Sequence, residues 1–208
     1  ATAVREVEFV DNQGQLVRGS AWIQEQVGEG WGRANQLDAQ LRHEAAKLYG
    51  PDHYSSDGAV RLIADPNQLE LRKAVEEALV ERAIFGETID DHGGNLIMAM
   101  EGGKPKVYNI DLDYAFNEQP EPLWISAPNK GVIRKIMPAL SGQQLSPETV
   151  SRVQSFVSKY DSDAGRQHLK DLGLTDAEVN AMLSRAKWFV DHRQFPPMEF
   201  SPPGYDGT

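Results

Sequence analysis

Apolar and polar positions alternate at the start of the chain, then recur at helical spacing for most of its length. Val4, Val7, Phe9 and Val10, followed by Leu16-Val17 and Ala21-Trp22-Ile23, predict β structure on either side of the turn signal Asn12-Gln13-Gly14. Gly28, Gly30 and Gly32, alternating with Glu29, Trp31 and Arg33, read as a loop. Leu37, Leu41, Ala45 and Leu48 keep a helical stripe, with Asn35 as N-cap and Gly50-Pro51 as the stop. Residues 52–58 read as loop and 59–64 as a short strand. Asp65-Pro66 opens a long helix whose stripe runs through Leu69, Ala74, Ala78, Leu79 and Phe85.

After Gly86 the period changes from helix to strand. Leu96–Met100 and Lys106–Ile110 flank Glu101-Gly102-Gly103-Lys104, which predicts a hairpin. Residues 117–131 are a Pro- and Asn-rich loop. Ser146-Pro147 then starts a helix through Val150, Val153, Phe156, Val157 and Tyr160, and Thr175-Asp176-Ala177-Glu178 is a capping box before Val179, Met182, Leu183, Ala186, Phe189 and Val190. Residues 195–208, with four prolines and two glycines, read as an extended tail. The order of elements predicts an α+β protein, divided as 1–64, 65–194 and a tail at 195–208.

Charge changes the picture locally. The 208 residues carry a net charge of −10, and residues 87–121 contribute −6 of it, with eight acids against Lys104 and Lys106. That balance opposes a nucleic-acid binder that tracks phosphates, and suits a divalent cation or a basic partner. With no cysteine, disulfides, thiolate metal sites and cysteine nucleophiles are excluded. The longest apolar runs span only a few residues, as in Leu96-Ile97-Met98-Ala99-Met100, so no membrane span is expected. No basic-then-apolar leader opens the chain, and without a starting Met it reads as a trimmed or excised piece.

The chemistry concentrates in Gly86-Glu-Thr-Ile-Asp90-Asp91-His92-Gly-Gly-Asn95, followed by Ile110-Asp111-Leu112-Asp113. Folding the predicted hairpin brings Asn95 and Asp111 together, because they bound its two strands. An amide carbonyl and a carboxylate are hard oxygen donors suited to Mg²⁺ on substrate phosphates. Asp90 precedes Asn95 by five residues, far enough around the loop to face an attacking group. A base and a metal pair around one phosphoryl group is what phosphoryl transfer requires.

These residues resemble the catalytic and metal-binding loops of the protein-kinase-like superfamily. The likeness is to its atypical branches: phosphatidylinositol 3- and 4-kinases, with Asp-Arg-His-x-x-Asn and Ile-Asp-Phe-Gly, and HipA-like kinases, with Asp-Asp-His-x-x-Asn. It covers residues 67–116 and implies a mostly helical C-lobe with a catalytic-loop hairpin behind a reduced, β-rich N-terminal part. By this resemblance Asp90 is the catalytic base, His92 its companion at the transferring phosphate, and Asn95 and Asp111 the metal ligands. Asp113 stands where the family has glycine, which alters the second metal position. Arg18 takes the place of the phosphate-pairing lysine, and Glu44, on a helix like the family's αC, that of its partner. The implied cofactors are ATP with Mg²⁺ or Mn²⁺, and the implied acceptor is a protein or phosphoinositide hydroxyl. The small size and eroded N-lobe look like a bacterial virulence effector. This implies a soluble protein, cytoplasmic or secreted into a host cell, with an activating host protein as a further partner.

Other readings stand beside this one. A catalytically inactive kinase-like module recruiting a partner would explain the missing lysine. A metal-dependent phosphoesterase ranks last, because such sites need several His and Asp clusters and one is present. Asp90-Asp91 also suit a helix–loop junction, and His92 a turn. His43, His53, His168 and His192 read as surface or structural residues, and the four tryptophans are too scattered for a base-stacking platform. Met98 and Met100 are expected in the core.

Overall fold

The computed structural model describes residues 2–10, 16–24, 36–86, 95–109, 115–122 and 131–197, with backbone alone for 2–10, 16–24 and 131–134. The chain divides into two compact units, Ala1–Trp31 and Gly32–Thr208. The first unit contains the antiparallel pair β1 (Thr2–Val10) and β2 (Leu16–Gln24), in register from Thr2 opposite Gln24 to Val10 opposite Leu16. The β-branched and aromatic residues on both sides of the predicted turn favour this pairing.

The second unit is a helical assembly around one hairpin, so the class is α+β. Its first helices are α1 (Leu37–Tyr49), α2 (Ser56–Ala64) and α3 (Leu69–Phe85). The hairpin β3 (Leu96–Glu101) and β4 (Lys104–Asn109) follows, then α4 (Gly131–Leu140), α5 (Pro147–Tyr160), α6 (Asp163–Asp171) and α7 (Asp176–His192). Short 3₁₀ turns at Pro51–His53 and Pro66–Gln68 lead into α2 and α3. Among the described residues, no helix is long and apolar enough to cross a membrane.

The core joins Leu37 and Leu41 of α1, Leu62 of α2, Val75 and Leu79 of α3, Ile136 and Met137 of α4, and Met182 and Phe189 of α7. Helix α3 is central: α2, β4, α5 and α7 all pack on it. This central position buries even its charged residues Glu76 and Arg82. A Glu76 carboxylate oxygen accepts the Ser146 backbone N–H at 2.7 Å, placing an acid at the positive N-terminus of α5. The N-cap of α1 is Gln36, without a side-chain cap bond, and not Asn35, whereas the caps of α5 and α7 form as the sequence predicts. Ser146 accepts from the Thr149 N–H, and Thr175 and Glu178 close a reciprocal box at the start of α7.

Three further expectations change. Residues 59–64 are not a strand but most of helix α2. The Ser55 hydroxyl caps the Gly58 N–H at 3.0 Å, and Ala59, Leu62 and Ile63 form a buried helical face against α1 and α4. Met100 is 64% exposed, while Met98 is half-buried against the core. Both faces of β3 are buried at Leu96 and Ile97, and both are open at Met100 and Glu101, because the hairpin enters the core only at its base. Finally, Phe195 opens the Pro-rich stretch as a core residue. It is fully buried, and its N–H donates to the Gln143 carbonyl at 2.9 Å.

Candidate functional site

Helix α3 ends at Gly86 in the left-handed conformation (φ 80°, ψ 18°), with the Gly86 N–H reaching back to the Arg82 and Ala83 carbonyls. This glycine cap stops the helix where the candidate loop begins. Asp90, Asp91 and His92 lie outside the described residues, as do Asp111 and Asp113. Asn95 is described: it is buried, 4% exposed, immediately before β3.

The hairpin that carries Asn95 forms where the sequence predicts one, but its second strand starts at Lys104 instead of Lys106, pairing from Leu96 opposite Asn109 to Glu101 opposite Lys104, and Ile110 lies outside the described residues. Its two-residue turn places Gly102 (φ 57°) and Gly103 (φ 81°) at positive φ, where glycine is unstrained. Lys106 pairs with Glu101 at 3.1 Å, and Lys104 with Glu70 at 3.1 Å. Both lysines of the acidic stretch thus have ion pairs with acids on or beside the outer half of the hairpin. At the inner end Asn109 is buried. Its amide donates to the Ala78 carbonyl of α3 at 3.0 Å and approaches Glu81 at 3.4 Å, fixing β4 to the helix.

The chain returns beside the point where it left α3. The Phe116 N–H donates to the Phe85 carbonyl at 2.6 Å, the two phenyl rings lie 5.6 Å apart, and the Asn117 amide donates to the Gly86 carbonyl. Phe116 adopts a positive φ of 63°, a strained conformation for an aromatic residue at this re-entry point.

Arg185, from the middle of α7, reaches both sides of this base and is 1% exposed. Its Nε donates to the Ile84 carbonyl at 2.8 Å. Its Nη1 donates to the Asn117 carbonyl at 3.1 Å, to the Asn117 Oδ1 at 3.2 Å and to the Gln119 carbonyl. Burial pushes its pKa down to about 10.

The remaining sequence candidates fall elsewhere. Arg18 stands on β2 opposite Glu8 in the first unit. Glu44 lies on α1 in the second unit and pairs with Lys47 at 3.6 Å. A groove of about 180 Å³ between α3 and α5, floored by Val80, Ile84, Phe85, Val153 and Phe156, contains none of the candidates. Among the described residues no three acids or histidines cluster in a way that could hold a metal. Sequence reasoning missed Arg185, Asn117 and Asn109. For Arg185 a signal existed: it sits three residues after Met182 and four before Phe189, on the buried stripe of α7.

A scan against protein-family models, a search of curated proteins and a search of solved structures each returned no match.

Proposed function

We propose that this chain is a phosphotransferase of protein-kinase-like fold, moving the γ-phosphate of ATP to a protein or lipid hydroxyl. The observation that carries the reading is that α3 ends at the Gly86 cap and the hairpin begins at Leu96, so the motif residues of the sequence fall between and just after these two elements. It is supported by a hairpin forming between Leu96 and Asn109 and by the flanks at 85–86 and 116–117 being bonded to one another. Asn95 precedes the base pair Leu96–Asn109 by one residue, and Asp111 follows it by two, so both flank the same end of the hairpin. Two peptide links keep the Asp111 Cα within about 8 Å of the Asn109 Cα.

In this reading Asp90 accepts the proton of the acceptor hydroxyl, and His92 contacts the phosphoryl group in transfer. Asn95 and Asp111 would hold Mg²⁺ or Mn²⁺, with Asp113 as an altered further position. The donor set of amide and carboxylate oxygens, one of them buried, fits a hard cation. Bound there, the cation supplies charge neutralisation at the phosphates. Arg18 and Glu44 are the proposed nucleotide-side contacts. Effector activity with an activating host protein remains part of the proposal. One observation favours the inactive-module reading: residues 1–46 contain no lysine to pair with the phosphates.

The test combines calorimetric titration of Mg²⁺ with ATP and transfer of labelled γ-phosphate to the chain itself or to water. Asp90→Ala should leave Mg–ATP binding intact and lower transfer by roughly 10²–10⁴-fold, the usual range for a general base. Asp111→Ala should lose both binding and transfer, and Asp91→Ala should change little. Binding without transfer in the unaltered chain would establish the inactive module; no binding would remove the kinase-like reading.

A further inference from the structure

We infer that Arg185 is the positioning residue of the candidate site: its buried guanidinium ties the segment leaving α3 at Ile84–Gly86 to the segment returning at Phe116–Gln119. Both candidate loops lie between these two segments. The hydrogen bonds described for the guanidinium all go to this base, although Ile84 and Asn117 are 101 and 68 residues away in sequence. Among the described residues they go to carbonyl and amide oxygens and not to a carboxylate. A planar fork with donors in fixed directions can span two chain segments at once, which a lysine or an apolar residue cannot.

Gly86 completes the fit. A Cβ there would lie 2.8 Å from the Arg185 Nη2, 2.9 Å from its Cζ and 2.9 Å from the Asn117 Nδ2, so the guanidinium occupies space that only glycine leaves open. Nη2 itself finds no acceptor among the described residues. The functional consequence rests on reading Asp90, Asn95 and Asp111 as one site; the tie between the two flanks does not.

The experiment measures amide hydrogen exchange on the full chain, alongside Mg–ATP calorimetry. In Arg185→Ala, the amides of the described flanks at 84–86 and 115–119 should both lose protection by roughly tenfold or more, the factor set by losing about one charged hydrogen bond. Peptides from α5 and α6 should stay unchanged. Low-millimolar guanidinium chloride should restore the protection, and sodium chloride at equal ionic strength should not; a merely destabilised fold would be weakened further by guanidinium. Asn117→Ala, a milder change that keeps the arginine, should loosen the same two flanks to a smaller degree and decides the matter if Arg185→Ala does not fold. Mg–ATP affinity should fall roughly 10–100-fold in Arg185→Ala, as for other residues that orient metal ligands. A rise in exchange throughout the chain, a rise on one flank alone, or an unchanged Asn117→Ala overturns the inference. If exchange behaves as expected but the unaltered chain binds no Mg–ATP, the tie stands and the kinase-like reading falls.

Discussion

Replacing Gly86 by alanine tests the base of the candidate site with a single methyl group. Two effects add. An alanine forced to the positive φ of this helix cap costs about 1–2 kcal/mol. The new Cβ also meets the Arg185 guanidinium at 2.8–2.9 Å, closer than real carbon contacts allow, and the guanidinium is held by the surrounding carbonyls. Displacing it forfeits at least one charged hydrogen bond, about 1.5–3 kcal/mol. Gly103 supplies the control. Its φ of 81° matches the 80° of Gly86, but a Cβ there meets nothing within 4 Å. Gly103→Ala should therefore show the backbone contribution alone, about 1–2 kcal/mol. Gly86→Ala should lose about 2.5–5 kcal/mol in all, or roughly 5–20 °C in Tm for a unit of this size. Urea and thermal melts of both variants measure the difference. Repeating Gly86→Ala in an Arg185→Met background should shrink its cost towards that of Gly103→Ala, because of the close contacts only the one to the Asn117 Nδ2 at 2.9 Å is then left. Equal losses at the two glycines in the unaltered background would refute the close-packing argument.

Two further outcomes follow from the helical half. Thr175→Ala removes the side chain that caps the Glu178 N–H at 3.2 Å and should lower stability by about 1 kcal/mol, read from the urea midpoint at unchanged slope. Lys187 at 2.7 Å and Arg166 at 2.6 Å hold the Asp161 carboxylate below its ordinary value of 3.8. Its contribution is therefore complete above that value and is lost as pH falls through the lower folded one. Asp161→Asn should be less stable at neutral pH by no more than about 1 kcal/mol, since the pair is partly exposed. Melts of the two proteins should converge as the pH falls below 3.8 and through the lower folded value; a gap that widens in acid would reverse the sign of the argument.

Much of the local architecture is legible in the sequence. The hairpin at 96–109 is announced by its Gly102-Gly103 turn, because turn chemistry acts over only four residues, whereas the exposure of Met100 is set by how far the hairpin enters the core. The caps at Ser146 and Thr175 were equally readable, since a hydroxyl reaches no further than the N–H three residues ahead. Even the end of α3 follows from Gly86 alone. Where the local signals are ambiguous, the reading fails. Val60, Leu62 and Ile63 suit a strand as well as a helix by propensity, and the helix forms because Ser55 caps it and α1 and α4 cover one helical face. Helix α6 escaped notice because only Leu169 of it is buried, leaving almost no apolar period to detect.

The site divides along the same line. From the sequence alone come the order of the elements and the place where α3 stops and the hairpin turns, because a glycine cap and a tight turn are specified by nearby residues. Tertiary structure alone decided how that excursion is closed. Phe85 and Phe116 meet across 31 residues, and Arg185 on α7 reaches carbonyls 68 and 101 residues away. Those acceptors are backbone oxygens, available at every residue whatever its side chain. No residue type near Arg185 announces which of them it will bind, so only the packing of α7 against α3 could select them.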